Sequence, residues 1–280
     1  MINRKKKIAF KIIRVALLVV YLLAAIMPLY WTFVTSIKSP EEIYQFPLKY
    51  WPDKPSFQSY KKLFSFSSFG TYFMNSLMIS LIASLGAMVI AVMSGFALSR
   101  YDHKKTKGII ELVMYFSQTI PSFIIMVPLF TWFSRIHALD NRGMLGLVYI
   151  ATVVAFCTIM GKSFFDRIPS SLEEAAKIDG CNLFQSITKV VLPITLPGMA
   201  AVFCFAFINI WNELFLAVML LNSSQKMTVP VALNSFISKA GISWDVMSAG
   251  IVVALLPTMI VFGIGQKYIV AGLTDGSVKG

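Results

Sequence analysis

A group of polar side chains interrupts a long apolar run near its C-terminal end, where Asn209, Trp211, Asn212 and Glu213 fall within little more than one helical turn. Amides and a carboxylate can bond sugar hydroxyls, and an aromatic face suits the C–H surface of a sugar ring. These residue types therefore predict a sugar-binding site, although one helix presents them on several faces. The alternative is a buried hydrogen bond between Glu213 and a neighbouring helix. An ionised group costs about 2.5 to 3.5 kcal/mol at the centre of a membrane helix and less toward its outer end, where Glu213 is expected.

A second polar group, Gln118, lies in the apolar run 109–133 together with Pro121 and Pro128. A proline inside a membrane helix frees a backbone carbonyl and bends the helix. This favours a kinked helix that faces a wet pathway, and we assign Gln118 to that pathway. Simple helix packing explains the same residues equally well.

Nucleotide and metal chemistry find no support in the residue spacing. The triplet Gly161-Lys162-Ser163 imitates the end of a P-loop, but the first glycine of that motif would fall at Phe156, inside an apolar run with no strand before it. The two histidines, His103 and His137, fall in separate polar turns. We therefore expect no catalytic residue, no metal site and no cofactor on this chain.

The composition indicates which elements position these groups. Of the 280 residues, 57% are hydrophobic and only 14% are charged, and the mean hydropathy is +0.72. This is the composition of a polytopic membrane protein. The apolar runs predict an all-α bundle of six membrane-spanning helices, at about 15–37, 76–98, 109–133, 143–161, 194–221 and 246–266. They divide the chain into a basic N-terminus (1–14), a first helix (15–37), an outer loop (38–73), a five-helix core (74–269) and a short tail (270–280).

The distribution of basic residues predicts the orientation. A net charge of +12 could suggest a nucleic-acid partner, but the lysines and arginines cluster at the ends of the apolar runs. With six spans, 16 of the 25 basic residues fall on the side that holds both termini. The positive-inside rule therefore places both termini, and the polar segment 166–193, in the cytoplasm.

That polar segment carries the signals of two short helices joined by a sharp turn. Ser170 and Ser171 each precede a glutamate by three residues, so Glu173 or Glu174 can close a capping box at a helix start. Gly180 can take the left-handed conformation that ends a helix. A second helix is expected from 182 to 191, ended by Pro193. We call this segment, 166–193, the elbow. Its shape alone is explained equally well by a loop that only connects two membrane-spanning helices.

The residue pattern of the elbow is more specific than its shape. The run Glu174-Ala175-Ala176-x-x-Asp179-Gly180, followed by Phe184, Ile187 and Leu192-Pro193, resembles the EAA motif of permease subunits of ATP-binding-cassette (ABC) importers. Cys181 stands where that family usually has alanine. Four further motifs extend the resemblance over nearly the whole chain, and they are similar to those of the maltose-type second permease of carbohydrate importers. They are Asn75-Ser76-Leu77, Ser99-Arg100-Tyr101, Trp211-Asn212-Glu213 and the C-terminal Gly-Leu-Thr-x-Gly-x-Val-Lys-Gly.

The resemblance implies a fold, partners and a role for each site residue. The fold would be the MetI-like bundle of type I ABC importers, in a bacterial cell membrane. The chain would be a transport subunit rather than an enzyme, and it would form a heterodimer with a second permease. Its other partners would be two ATPase subunits, which hold ATP and Mg²⁺, and an extracytoplasmic solute-binding protein. The residues expected to couple to the ATPase are Glu173, Glu174, Ala175, Ala176, Asp179, Gly180 and Phe184.

Other functions stay open at this point. A permease of this kind could carry a non-sugar solute such as a glycerol phosphate. From other classes, a passive channel and an intramembrane enzyme using Glu213 are the alternatives, but a channel needs no elbow and an enzyme lacks partner residues for Glu213.

Overall fold

The structure is a computed structural model that describes residues 4–66, 68–238 and 241–274. Most of the described chain is helical, and a two-stranded antiparallel ladder pairs Ile237 with Ile242 and Ser238 with Gly241. The elements in chain order are α1 (Arg4–Ser36), α2 (Pro40–Ile43), α3 (Gln58–Phe66), α4 (Phe69–Arg100), α5 (Lys104–Thr119), α6 (Ser122–Arg135), α7 (Arg142–Phe165), α8 (Ser171–Ile178), α9 (Leu183–Ser186), a π turn (Ile187–Val191), α10 (Leu192–Trp211), α11 (Phe215–Leu220), a 3₁₀ turn (Ser224–Lys226), α12 (Val229–Ser235), β1 (Ile237–Ser238), β2 (Gly241–Ile242) and α13 (Trp244–Thr274).

The helices long and apolar enough to cross a membrane number five in the described part of the chain, or six if α5 and α6 form one span. The five spans are Phe10–Ser36, Phe69–Arg100, Arg142–Phe165, Leu183–Trp211 and Trp244–Tyr268. The expected fold class, an all-α polytopic bundle, is confirmed. The last six residues of the expected tail, 275–280, lie outside the described residues.

The third expected span is not one helix. The chain breaks between α5 and α6, which meet at 90°. Ile120 is extended, with φ −79° and ψ 114°, because the ring of Pro121 disfavours a helical conformation in the residue before it. The expected kink at Pro121 is therefore a full break, whereas Pro128 lies inside α6 without interrupting it.

The chain divides into two compact units, one of residues 1–69 and 233–255 and the other of residues 70–232 and 256–280. In the first unit, the Lys38 ammonium donates a hydrogen bond of 2.5 Å to the carbonyl of Lys49. Lys62 and Asp245 form an ion pair at 3.6 Å, which joins α3 to the start of α13. These contacts order the long polar segment that follows α1.

The second unit holds the main core, in which α4 and α7 approach closely through small residues. A Cβ added at Gly95 would lie 2.8 Å from the backbone nitrogen of Lys162, and one at Gly161 would lie 3.0 Å from the carbonyl oxygen of Ala91. The hydroxyls of Ser94 and Thr158 share a hydrogen bond of 2.8 Å beside this crossing. The small residues expected to let helices pack closely do so here.

The fifth expected span, 194–221, differs from the structure at both ends. The helix of this span is continuous with α9, because a π turn lies between α9 and Pro193. In this turn the N–H of Leu192 donates to the carbonyl of Ile187, five residues earlier. This wider turn leaves room for the proline ring, so Pro193 does not end the second elbow helix as expected. At its C-terminal end, α10 stops at Trp211 and a separate short helix, α11, follows.

The turn between α6 and α7 is held by Asp140. Its carboxylate accepts hydrogen bonds from the Ser223 hydroxyl (2.5 Å) and from the backbone N–H groups of Ser223 (2.9 Å) and Asn222 (3.0 Å), and it pairs with Lys226 at 2.9 Å. The hydrogen bonds from Ser223, followed by that from Lys226, hold the pKa of Asp140 well below its usual range. One carboxylate thus fastens the segment after α11 to the turn before α7.

Candidate functional site

The turn of the elbow is a regular helix-ending motif built around Gly180, whose φ is +83°. The N–H of Gly180 donates to the carbonyl of Lys177 at 3.0 Å, and that of Cys181 donates to the carbonyl of Ala176 at 2.9 Å. This pair of bonds is the Schellman motif, which needs a left-handed residue at the glycine position. The expected helix stop at Gly180 is confirmed.

The expected capping box at the start of α8 is wrong. Ser170 has helical angles, φ −61° and ψ −23°, and its side chain makes no capping hydrogen bond. The carboxylate of Glu173 lies instead against the guanidinium of Arg100, with Oε1 2.6 Å from Nη2. The guanidinium offers this carboxylate an opposite charge and two N–H donors, Nε and Nη2, whereas a capping box would offer it a single backbone N–H.

A capping box does form at the second elbow helix, where it was not expected. The backbone N–H of Gln185 donates to the side-chain oxygen of Asn182 at 2.9 Å, and the N–H of Asn182 donates to the side chain of Gln185 at 3.0 Å. The spacing Asn-x-x-Gln is a regular form of the motif and was available in the sequence.

The residues expected to couple to an ATPase divide between the surface and the interior of this unit. Glu173 and Ala176 are buried, and the other five are exposed, namely Glu174, Ala175, Asp179, Gly180 and Phe184. Exposed apolar side chains flank the turn on both sides: Ile178 is 87% exposed, Leu183 59% and Phe184 73%. We call Ile178, Leu183 and Phe184 the apolar tip. Ile178 and Leu183 were not singled out from the sequence, although large apolar residues on either side of a turn glycine in a polar segment could have indicated them.

Three of the five residues assigned to a substrate pathway come together in one cavity. Gln118, Asn209 and Glu213 line a cavity of about 180 Å³ beside α7, and the other polar residues that line it are Ser122, Tyr149 and Thr152. The side-chain nitrogen of Gln118 lies 3.5 Å from the carbonyl oxygen of Thr152. Amide, hydroxyl and carboxylate groups from three parts of the chain thus face one small space.

The carboxylate of Glu213 is held by three donors. It accepts hydrogen bonds from the Tyr149 hydroxyl at 2.9 Å, from the N–H of Leu216 at 3.0 Å and from the N–H of Ala217 at 3.3 Å. Two of these donors are free N–H groups in the first turn of α11, so Glu213 caps that helix. The alternative considered from the sequence, a bond from Glu213 to a neighbouring helix, is therefore present, at the edge of the same cavity.

The remaining two pathway residues lie elsewhere. Trp211 is only 2% exposed; its ring stacks on Phe207 with a centroid distance of 5.8 Å and meets Phe73 edge-on at 5.6 Å. The Asn212 side chain is exposed and donates to the carbonyl of Ile208 at 2.8 Å. Neither lines the cavity, so the aromatic face expected beside the polar groups is not supplied by Trp211.

Residues 87–275 match the protein family described as "Binding-protein-dependent transport system inner membrane component". This range covers the elbow, the cavity and the paired helices α4 and α7 from Ala87 onward. The chain belongs to this family. We refer to it below as the permease.

The permease is similar to curated transport proteins over almost its whole length. It is 33% identical to the sulfoquinovosyl glycerol transport system permease protein SmoH of Agrobacterium fabrum, covering 93% of this chain and 91% of that one. It is 30% identical to the diacetylchitobiose uptake system permease protein DasC of Streptomyces coelicolor (94% and 95%). It is 31% identical to the trehalose transport system permease protein SugB of Mycobacterium tuberculosis (91% and 93%).

Solved structures support the same fold. The permease superposes with a TM-score of 0.80 on a chain of a bacterial ABC transporter involved in the import of the acidic polysaccharide alginate. The two chains are 26% identical, and the match covers 96% of the permease and 99% of that chain. A chain of the MetNI methionine ABC transporter gives a TM-score of 0.55 at 17% identity, covering 71% and 93%, and this shows the shared fold alone. The expected MetI-like architecture is confirmed.

Proposed function

We propose that the permease forms half of the translocation pathway of an ATP-driven, binding-protein-dependent importer for a sugar or oligosaccharide. The observation that carries the proposal is the elbow, because its glycine-hinged turn presents an apolar tip that is 59 to 87% exposed per residue. This tip lies at the end of the short helix α8 and at the very start of the span Leu183–Trp211. An exposed apolar patch of this kind marks a docking surface for another protein. The relatives named above, which transport several different glycosides, support a sugar as the substrate.

In this proposal a separate ATPase fits around the apolar tip and supplies the energy. ATP and Mg²⁺ are held by that subunit, and the permease itself holds no cofactor. Glu174 and Asp179 lie on the exposed side of the same elbow and would give the contact its charged rim. Closure of an ATPase dimer would draw this elbow toward that of a second permease and rock the two halves between inward-open and outward-open states.

The charges of the permease support one orientation in the membrane. Arg100, Lys107 and Lys162 lie at the elbow end of the second unit. Arg100 binds Glu173, Lys162 binds Asp166 just before α8, and Lys107 donates to the carbonyl of Ser99 beside Arg100. A basic cluster at this end supports a cytoplasmic elbow and cytoplasmic termini in a bacterial cell membrane.

The polar cavity would contact the transported sugar. Its volume of about 180 Å³ is well below the roughly 300 to 1,000 Å³ of a complete ligand pocket, so it would receive one sugar ring rather than a whole oligosaccharide. Among the described residues that line it are a carboxylate and two amides but no lysine or arginine. A phosphate ester would meet Glu213 without a compensating positive charge, so this cavity favours a neutral sugar over a glycerol phosphate.

Co-purification and uptake test the proposal. A tagged permease extracted from its own host should retain an ATPase and a second permease. The reconstituted complex with its binding protein should import radiolabelled trehalose or diacetylchitobiose in an ATP-dependent manner, in preference to sulfoquinovosyl glycerol, whose sulfonate is an anion. Replacing both Ile178 and Phe184 by serine should release the ATPase. A matched control is Leu48→Ser, since Leu48 is also an exposed apolar residue (52%) but lies in the polar segment after α1.

A separate experiment tests the orientation. Cys181 lies beside the turn, and the only other cysteines, Cys157 and Cys204, are buried. In a background where those two are serine, a membrane-impermeant maleimide should label Cys181 in inverted vesicles and not in intact spheroplasts. Labelling from the outside, or a purified permease without any ATPase, would contradict the proposal.

A further inference from the structure

Arg100, the last residue of α4, binds the elbow directly. Its Nε and Nη2 lie 2.7 Å and 2.6 Å from Oε1 of Glu173 on α8. The same guanidinium donates through Nη2 to the carbonyl of Ile168 at 3.0 Å and through Nη1 to that of Phe165 at 3.3 Å. One side chain thus joins three segments: the end of α4, the end of α7 with the loop after it, and the first turn of α8.

The ion pair is well shielded from solvent. The side chains of Arg100 and Glu173 are 23% and 11% exposed, and the Arg100 guanidinium lies 5.7 Å from the ring centre of Phe96. A partly buried pair with several additional hydrogen bonds is geometrically defined and is weakened little by salt, unlike a surface pair.

A second layer of contacts extends this junction to α5. The Ser99 hydroxyl donates to Asp166 at 2.6 Å, and the ammonium of Lys162 pairs with Asp166 at 2.7 Å and with Glu111 on α5 at 3.2 Å. The ends of α4, α5 and α7 are therefore linked to one another at the level where Arg100 holds α8.

The covalent connections of α8 are the other routes by which the elbow could move the bundle. Toward the C-terminus the chain passes through the left-handed turn at Gly180 before it reaches α9. Toward the N-terminus it passes through the loop 166–170, and Arg100 bonds the carbonyls of Phe165 and Ile168 at the start of that loop. The first turn of α8 is thus tied to the bundle by Arg100, whereas its last turn carries the exposed Ile178.

We propose that Arg100 is the positioning residue that transmits movement of the elbow to the paired helices α4 and α7. The first turn of α8 acts as a fixed pivot through Glu173, and the tip end moves with the ATPase. Because α4 and α7 cross without room for a Cβ at Gly95 or Gly161, a displacement at Arg100 moves both helices together. This inference rests on the proposed function and adds a specific route of coupling to it.

Loss of the pivot should separate ATP hydrolysis from import. In Arg100→Met and in Glu173→Gln, the elbow still carries its apolar tip and still binds the ATPase. We expect each variant to hydrolyse at least about fivefold more ATP per sugar imported than the wild type, which is the lower end of typical coupling between distant sites. Arg100→Lys keeps the charge but cannot reach all three partners at once, so its ratio should fall between those of Arg100→Met and wild type.

The test measures ATP hydrolysed per sugar imported in proteoliposomes containing the whole complex, for the wild type, the single variants and the double variant Arg100→Met/Glu173→Gln. If both residues act through one contact, the ratio for the double variant should equal that of the more impaired single variant. A merely destabilised permease would lower hydrolysis and import together and leave the ratio unchanged. Lys104→Met is the matched control, since Lys104 is an exposed basic residue at the neighbouring start of α5.

An unchanged ratio in Arg100→Met, or effects of the two single variants that multiply in the double variant, would overturn the inference while leaving the proposed function intact. A wild-type complex that lacks an ATPase or imports no sugar would overturn the proposed function and this inference with it.

Discussion

The hydroxyl of Tyr149 on α7 donates a hydrogen bond of 2.9 Å to the carboxylate of Glu213, in the break between α10 and α11. Tyr149 is almost fully buried, at 2% exposure, so this bond joins two helices inside the core. It also fixes the position of the acidic group at the edge of the polar cavity.

Removing this contact should destabilise the permease by different amounts according to which partner is changed. Tyr149→Phe loses one hydrogen bond to a charged group, about 1.5 to 3 kcal/mol. Glu213→Ala loses all three bonds and leaves the Tyr149 hydroxyl buried without its acceptor, so its melting midpoint in detergent should fall further. Glu213→Gln keeps an acceptor for the N–H groups of α11 and should lie closest to the wild type. A Glu213→Ala variant as stable as the wild type would contradict the capping role.

The cavity residues should matter for transport, and their sequence neighbours should not. Asn209→Ala and Gln118→Ala each remove one hydrogen-bonding group from the cavity, a change of about 0.5 to 1.5 kcal/mol, or roughly two- to tenfold in rate. Import at saturating, sugar-loaded binding protein is the measurement. Asn212→Ala is the matched control, because the Asn212 side chain bonds its own helix outside the cavity. Equal effects of all three substitutions would argue against a sugar subsite here.

Gly180 should be intolerant of side chains for a conformational rather than a steric reason. Beyond the adjacent residues, no atom of the described chain lies within 4 Å of a Cβ at this position, but φ is +83°. A left-handed residue with a side chain costs roughly 1 to 2 kcal/mol. Gly180→Val should reorient α8 and uncouple hydrolysis from import, with the amount of permease in the membrane unchanged. Gly180→Asn, which tolerates this conformation, should retain most of the uptake. Normal sugar uptake by Gly180→Val would refute the hinge.

The crossing of α4 and α7 should depend on Gly95. A Cβ there would approach the backbone nitrogen of Lys162 to 2.8 Å, and backbone cannot move aside as a flexible side chain can. We expect Gly95→Ala to lower stability by about 1 to 3 kcal/mol through overpacking. Gly146→Ala on α7 is the control, since no other described part of the chain comes within 4 Å of a Cβ there, apart from the backbone of α7 itself. It should be neutral or stabilising by up to about 1 kcal/mol. Thermal unfolding of the two variants in the same detergent makes the comparison.

Asp140 should make the stability of the permease depend on acid pH. The hydrogen bonds from Ser223 and Lys226 lower the pKa of Asp140 in the folded protein. The stabilisation that the ionised carboxylate contributes is therefore complete above the pKa of an unfolded aspartate, about 3.9, and is lost as the pH falls below that value. Asp140→Asn keeps the left-handed conformation at φ +57° and removes the charge. The difference in melting midpoint between wild type and Asp140→Asn should be present at pH 7 and should narrow below pH ~4. A difference that does not change with pH would exclude the ionised carboxylate as its cause.

Local sequence signals were sufficient for features that depend on a few adjacent residues. The apolar runs indicated an all-α membrane bundle, Gly180 indicated the helix stop, and the small residues of the second run indicated close helix packing. Each of these follows from chain-local physics: the length of apolar sequence needed to cross a membrane, the absence of a Cβ, and the size of a side chain. The EAA-like residue pattern added the family, which was confirmed independently.

Features that depend on competition between partners distant in sequence were decided only by the tertiary structure. Glu173 could have capped its own helix, but the guanidinium of Arg100, 73 residues earlier, is a stronger partner for a carboxylate. Glu213 and Trp211 are two residues apart and looked equally suited to one sugar site. The end of α10 turns Glu213 toward Tyr149 and the cavity, while Trp211 packs against Phe73 and Phe207. The sequence thus determined which polar and charged groups the permease contains and which helices carry them. The packing of helices from distant parts of the chain decided which of these groups meet. The reason is that a hydrogen bond or ion pair forms with whichever partner the fold brings within about 3 Å.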